Sequence, residues 1–81
     1  MERKWNIEHL PVFVQVAETL GISAAANQLD LPKSSVSKII SQLEKALGVR
    51  LLERNSRNVR LTTEGEVFYR ESIRILEQVD E

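Results

Sequence analysis

What most limits the folds open to this chain is a break between two helical patterns. "SAAANQLD" (residues 23–30) reads as about two turns of helix and then stops at Asp30-Leu31-Pro32. Proline disfavours helical backbone in the residue before it and is itself tolerated only at a helix start, so Pro32 ends one element and opens the next. The second pattern runs from about Lys33 to Leu47, with Val36, Ile39, Ile40, Leu43 and Leu47 on one face and Gly48 positioned to close it. Three or four residues leave no room for a strand between the helices. Three successive alanines, Ala24 to Ala26, also strip the first helix of bulk on its contact side, so it can lie close to a neighbour.

The flanks add a helix before the break and a change of period after it. Leu10, Phe13, Val14, Ala17 and Leu20 recur at intervals of three and four. Pro11 keeps a regular helix from starting at Ile7, which predicts a looser turn and a helix from near Leu10. Gly21 is expected to take the left-handed turn at its end and Ser23 to cap the next helix. Beyond Gly48, Leu51–Leu52 and Val59-x-Leu61 predict two short strands around a polar "ERNSRN" tip. Thr62 or Thr63 then caps a last helix, and Thr63-x-x-Glu66 reads as a capping box. Phe68, Ile75, Leu76 and Val79 form one stripe along that helix, which runs off the end of the chain.

Catalysis is excluded by the inventory. The single histidine, His9, has no partner cluster and reads as a packing or surface residue. The serines lack a nucleophile elbow and a nearby base, and the three glycines are too scattered for a phosphate loop. No cysteine is present, so thiolate metal sites and disulfides are absent and a reducing compartment fits. No stretch has signal-peptide or membrane-spanning character, and the expected setting is the cytoplasm, at the nucleoid.

Net charge is −1, which taken alone argues against nucleic acid. The distribution reverses that. Residues 33–60 carry Lys33, Lys38, Lys45, Arg50, Arg54, Arg57 and Arg60 against Glu44 and Glu53, a net of +5 between two acidic ends. The order helix, helix, tight turn, helix, hairpin, helix then fits a mainly α winged helix-turn-helix: three helices plus a two-stranded wing, followed by a long C-terminal helix. In such a unit the second helix of the pair presents its N-terminal residues to the major groove, where base edges meet short hydroxyls and long cations. Lys33, Ser34, Ser35, Ser37 and Lys38 are such groups. The same serines are also candidate caps, and the lysines candidate solvent decoration. Arg54 and Arg57 near the hairpin tip suit a wing at the minor groove or sugar-phosphate. The competing reading is a helical protein-interaction module whose basic middle binds an acidic partner.

From "FVQVAETL" through "SAAANQL" and "SSVSKIISQLEKALGVRLLER" to "RLTTEG", about residues 7 to 70, the sequence resembles the N-terminal domain of LysR-type transcriptional regulators. The resemblance implies a DNA-binding domain over 7–62 (helix-turn-helix about 22–41, wing about 49–61) and a linker helix over 63–81 through which two subunits dimerise. It places Lys33, Ser34, Ser35 and Lys38 at base edges. Ser37 and Gln42 fall at phosphate, and Arg54 and Arg57 match wing arginines; Ser23 and Arg60 are expected at the backbone as well. Phe68, Ile75, Leu76 and Val79 are expected to form the dimer face, on a near-palindromic duplex site. It further implies a tetrameric full-length protein with a small-molecule effector in a domain outside these residues, and no cofactor or metal within them. Three positions depart from the family pattern: Asp30 where glycine is frequent, Pro32 for the usual Ser or Thr cap, and Lys33 where glutamine is common. Aspartate tolerates left-handed backbone, so the turn should survive; the capping passes to Ser34 or to no residue.

Overall fold

The computed structural model describes residues 5–54 and 59–79. A 3-10 turn, Ile7–His9, leads into α1 (Leu10–Thr19), followed by α2 (Ile22–Leu29), α3 (Lys33–Leu47), β1 (Leu52–Arg54), β2 (Val59–Leu61) and α4 (Thr63–Val79). The looser turn ahead of Leu10 is thus present, and Pro11 falls in the first turn of α1, where its missing N–H has no helical partner to lose.

The corner between α1 and α2 differs from expectation. Leu20, not Gly21, takes the left-handed conformation, at φ 53° and ψ 39°, while its N–H closes α1 on the Val16 carbonyl at 2.7 Å. Gly21 is extended and precedes α2, so Ser23 lies inside the first turn and caps nothing. The apolar face of α1 is correspondingly rotated: Leu10, Val12, Phe13, Val16 and Ala17 are buried, Val14 is half-buried, and Leu20 is 52% exposed. A periodicity of three and four could not choose between these neighbouring phases.

The core joins α1, α2, α3 and the root of the wing. Phe13, Val16, Ala25, Val36, Ile40, Leu43, Leu51 and Leu52 are all fully inaccessible. Each of the larger side chains contributes about 1.5–3 kcal/mol on burial. Ala25 and Ala26 supply the thin contact face that lets α2 pack tightly. Phe68 of α4 closes one side, with its ring edge-on to Trp5 (centroids 5.9 Å apart) and tilted against Phe13 (5.4 Å).

The two strands are antiparallel, pairing Leu52 with Leu61, Glu53 with Arg60 and Arg54 with Val59. Where β2 passes into α4, the cap is Thr62: its Oγ1 accepts from the Gly65 N–H at 2.9 Å and donates to the Arg50 carbonyl. The position three residues after the cap is therefore Gly65, and the expected box from Thr63 to Glu66 does not form. The Thr62 N–H donates to the Leu51 carbonyl at 3.0 Å, and a Cβ on Gly65 would overlap that same carbonyl. Glycine here permits a close approach of helix to wing root.

Candidate nucleic-acid interface

The turn between α2 and α3 is closed by backbone alone. Asp30 sits at φ 57° and ψ 44°; its N–H reaches the Asn27 carbonyl (3.3 Å), and the Leu31 N–H reaches back to Ala26 (3.0 Å). This doubly bonded left-handed ending normally recruits glycine or asparagine, and aspartate fills it here. Pro32 follows in extended conformation, and its carbonyl accepts from Ser35 (3.0 Å) and Val36 (3.3 Å) to start α3. No side chain caps that start. The serines of the first turn are left free of the capping role, and the leading amides of α3 face outward with the positive end of the helix dipole behind them.

α3 turns about 100° per residue, which sorts its polar groups into lines. Val36, Ile40 and Leu43 point into the core. Directly opposite runs an exposed line of Ser34, Lys38, Ser41 and Lys45, with exposed Gln42 beside it. Lys33, exposed, and Ser37, half-buried, lie on one flank; half-buried Ser35 lies on the other. The turn-and-a-half at the start of α3 thus gathers Lys33, Ser34 and Lys38 on open surface. Ser23, exposed, stands in the first turn of α2.

In the wing, Arg54 is exposed at the end of β1, while Arg57 lies outside the described residues. Arg60 is exposed on β2 opposite Glu53, and it shares a shallow hollow with Leu20, Leu61 and Glu66. Its charge therefore has carboxylates for neighbours. On α4, Phe68 is engaged in its own domain's core, Ile75 and Leu76 are half-buried, and the side chain of Val79 lies outside the described residues. Ser72 is fully buried and donates to the Phe68 carbonyl at 2.7 Å. Tyr69 donates to Glu18 Oε2 across α4 and α1 at 3.1 Å. Loss of hydration, then the hydrogen bond to Glu18 and its negative charge, hold the Tyr69 phenol above its ordinary pKa.

One residue that sequence reasoning counted only as a charge has a structural task. Glu44 Oε2 accepts from the Leu51 N–H at 2.8 Å and the Leu52 N–H at 3.1 Å, with Arg50 Nε 3.7 Å away. An acid in the last turn of a helix meets the negative end of the dipole, at a cost of about 0.3–1 kcal/mol. Two charge-assisted bonds at about 1.5–3 kcal/mol each outweigh it. That misplaced acid, seven residues before a predicted strand, was the available signal.

Among the described residues no group of three metal-ligating side chains converges, and no helix is long and apolar enough to cross a membrane.

This arrangement has well-characterised counterparts. The transcriptional regulator CrgA of Neisseria meningitidis is 47% identical over 76 residues, covering 94% of this chain and 25% of CrgA. BenM of Acinetobacter baylyi is 41% identical over 76 residues, with the same coverages. The chain thus spans about a quarter of the length of these relatives. Among solved structures, the BenM DNA-binding domain in complex with catB site 1 DNA has a TM-score of 0.88 at 41% identity, covering 93% of this chain and 83% of that one. The CbnR DNA-binding domain in complex with DNA has a TM-score of 0.90 at 36% identity, covering 93% and 86%. The family described as bacterial regulatory helix-turn-helix proteins, lysR family, matches residues 7–66, from the 3-10 turn through the wing to the first turn of α4. With the tight turn, the open start of α3 and the paired strands all in place, the chain belongs to the LysR family of bacterial regulatory helix-turn-helix proteins.

Proposed function

We propose that this chain is the DNA-reading part of a LysR-type transcriptional regulator and binds duplex DNA sequence-specifically, with α3 in the major groove. Lys33, Ser34, Ser35 and Lys38 contact base edges. Ser23, Ser37, Gln42 and Arg60 contact phosphate, and Arg54 and Arg57 carry the wing to the backbone or minor groove. Residues 7–62 form the DNA-binding domain and residues 63–81 the linker helix, through which two copies associate on a near-palindromic site. The stripe Phe68, Ile75, Leu76 and Val79 is the face of that association, and at its Phe68 end lies an apolar hollow of about 340 Å³ with Val49 and Val67 exposed. The full-length regulator is a tetramer in the cytoplasm, at the nucleoid, and senses a small molecule through a domain beyond these residues.

The observation that carries this reading is the uncapped, outward-facing start of α3, which concentrates Lys33, Ser34 and Lys38 on open surface. In relatives of the same fold this helix belongs to domains crystallised with DNA. The test is selection of bound duplexes from a random pool, followed by affinity measurements across salt. If a dimer neutralises about six to ten phosphates, affinity falls by about 10³–10⁵ between 50 and 200 mM salt. A flat salt response, or equal affinity for every duplex, refutes the proposal and favours an acidic protein partner.

A further inference from the structure

We infer that Glu44 is a positioning residue for DNA recognition: its carboxylate clasps the wing root to α3, so that the wing arginine and the reading turn of α3 engage the duplex as one rigid unit. This rests on the DNA-binding reading of the same site.

A two-stranded hairpin is marginal by itself and needs something to hold it. Here the side chains of Leu51 and Leu52 are sunk in the core and Val59 and Leu61 of β2 pack half-buried against it, while Glu53 and Arg54 of β1 are exposed. Burial thus holds the root and β2, and polar contacts join the start of β1 to α3. Among the described residues, the hydrogen bonds joining α3 to the wing root both end on Glu44 Oε2. Two adjacent amides bonded to one oxygen fix direction as well as distance, since the carboxylate can be met by both only over a narrow range of strand angles. The Glu44 side chain is 14% exposed against 72% for Arg50, and the Arg50 contact is the longer one. The amides, not the surface ion pair, therefore do the fastening. Glu44 also lies on the flank of α3 that bears Lys33 and Ser37, so any tilt of the wing about it alters the distance between Arg54 and the reading turn.

The test is a double-mutant cycle on the whole chain, using a duplex selected by the wild type and a scrambled duplex of equal length. Glu44→Ala, Arg54→Ala and the double variant are compared below their melting temperatures, with folding verified by circular dichroism. Arg54→Ala should weaken binding of the wild type and lower the salt slope by about one phosphate. In the Glu44→Ala background the same substitution should change affinity little, a coupling of about tenfold, of the size seen for residues sharing one network. Glu44→Gln retains an acceptor of the same reach, so Arg54→Ala should keep part of its effect in that background, and this intermediate coupling carries the cycle if Glu44→Ala does not fold. Additive effects, or no effect of Arg54→Ala in the wild type, overturn the inference while leaving DNA binding by α3 intact. Failure of the wild type to select any duplex refutes the DNA-binding reading itself.

Discussion

Gly65→Ala separates two arguments that give opposite signs. Gly65 lies inside α4, and in an exposed helix alanine is more favourable than glycine by about 1 kcal/mol. On propensity alone the variant is stabilised. The structure reverses this, because a Cβ at that position would overlap the Leu51 carbonyl oxygen and lie 3.0 Å from its carbon. The carbonyl cannot retreat cheaply. It accepts the Thr62 N–H at 3.0 Å, its own residue's side chain is fully buried, and the Leu51 N–H is held by Glu44 at 2.8 Å. Relief requires moving α4 off the wing root. Overpacking of this kind costs about 1–3 kcal/mol. Disturbing the Thr62 cap adds about 1 kcal/mol. After the propensity gain, a net loss of about 1–3 kcal/mol remains, which for a domain of this size lowers the melting temperature by about 5–20 °C. Thermal unfolding by circular dichroism at several protein concentrations measures it, with Gly48→Ala as the contrast. Gly48 has open space around it but φ +74°, so its loss comes from backbone strain alone. If Gly65→Ala melts at or above the wild type, the close approach is not a constraint and the reasoning fails.

Three further outcomes are expected. Lys38→Ala should cost about 1–3 kcal/mol and relax preference at one base position, whereas Arg60→Ala should weaken all sequences alike; repeating the duplex selection with each variant checks this, and uniform weakening by both makes Lys38 a phosphate contact. The single tyrosine should titrate above its ordinary pKa when followed by tyrosinate absorbance, and return toward it in Glu18→Gln. Because the folded state binds that proton more tightly, the contribution of Tyr69 to stability is complete below the ordinary phenol pKa and fades as pH rises through the raised one; melting temperatures on both sides test the sign. Leu20→Asn should stabilise the chain by about 0.5–1 kcal/mol in denaturant unfolding, since asparagine tolerates φ 53° better and Leu20 is half exposed.

The residues most legible in the sequence were those whose backbone options are few. Pro32 and Gly48 bounded α3 at Lys33 and Leu47 without error, and Asp30 took the left-handed turn assigned to it. Where several residues could serve, the reading slipped or stayed open. Leu20 took the turn beside a glycine free to do so, and Thr62 took the cap beside a threonine with a plausible box. A tertiary contact decided the second: the wing root demanded a glycine three residues after the cap, and only Thr62 has Gly65 there; nothing in the structure explains the choice of Leu20. Phe68 looked like part of an outer stripe because periodicity records a face and not its partner; the ring is engaged with Trp5 and Phe13. Glu44 left only an indirect sign, an acid in the last turn of a helix. Its bonds go to backbone amides seven and eight residues on, and amides leave no mark in a sequence.

The exposed line on α3 has a consequence for how such a reader changes over time. Its members are hydroxyls and ammonium groups, with no guanidinium and no amide in the leading turn. Forked side chains grip a guanine or an adenine at two points, and each such grip rejects the wrong base by about 1–3 kcal/mol. A lysine can also bridge guanine O6 and N7, but it swivels, and a hydroxyl serves either kind of base. On the proposed placement, a regulator with this vocabulary tolerates drift in its operators base by base. On that placement its selectivity rests on two copies binding one near-palindromic site together.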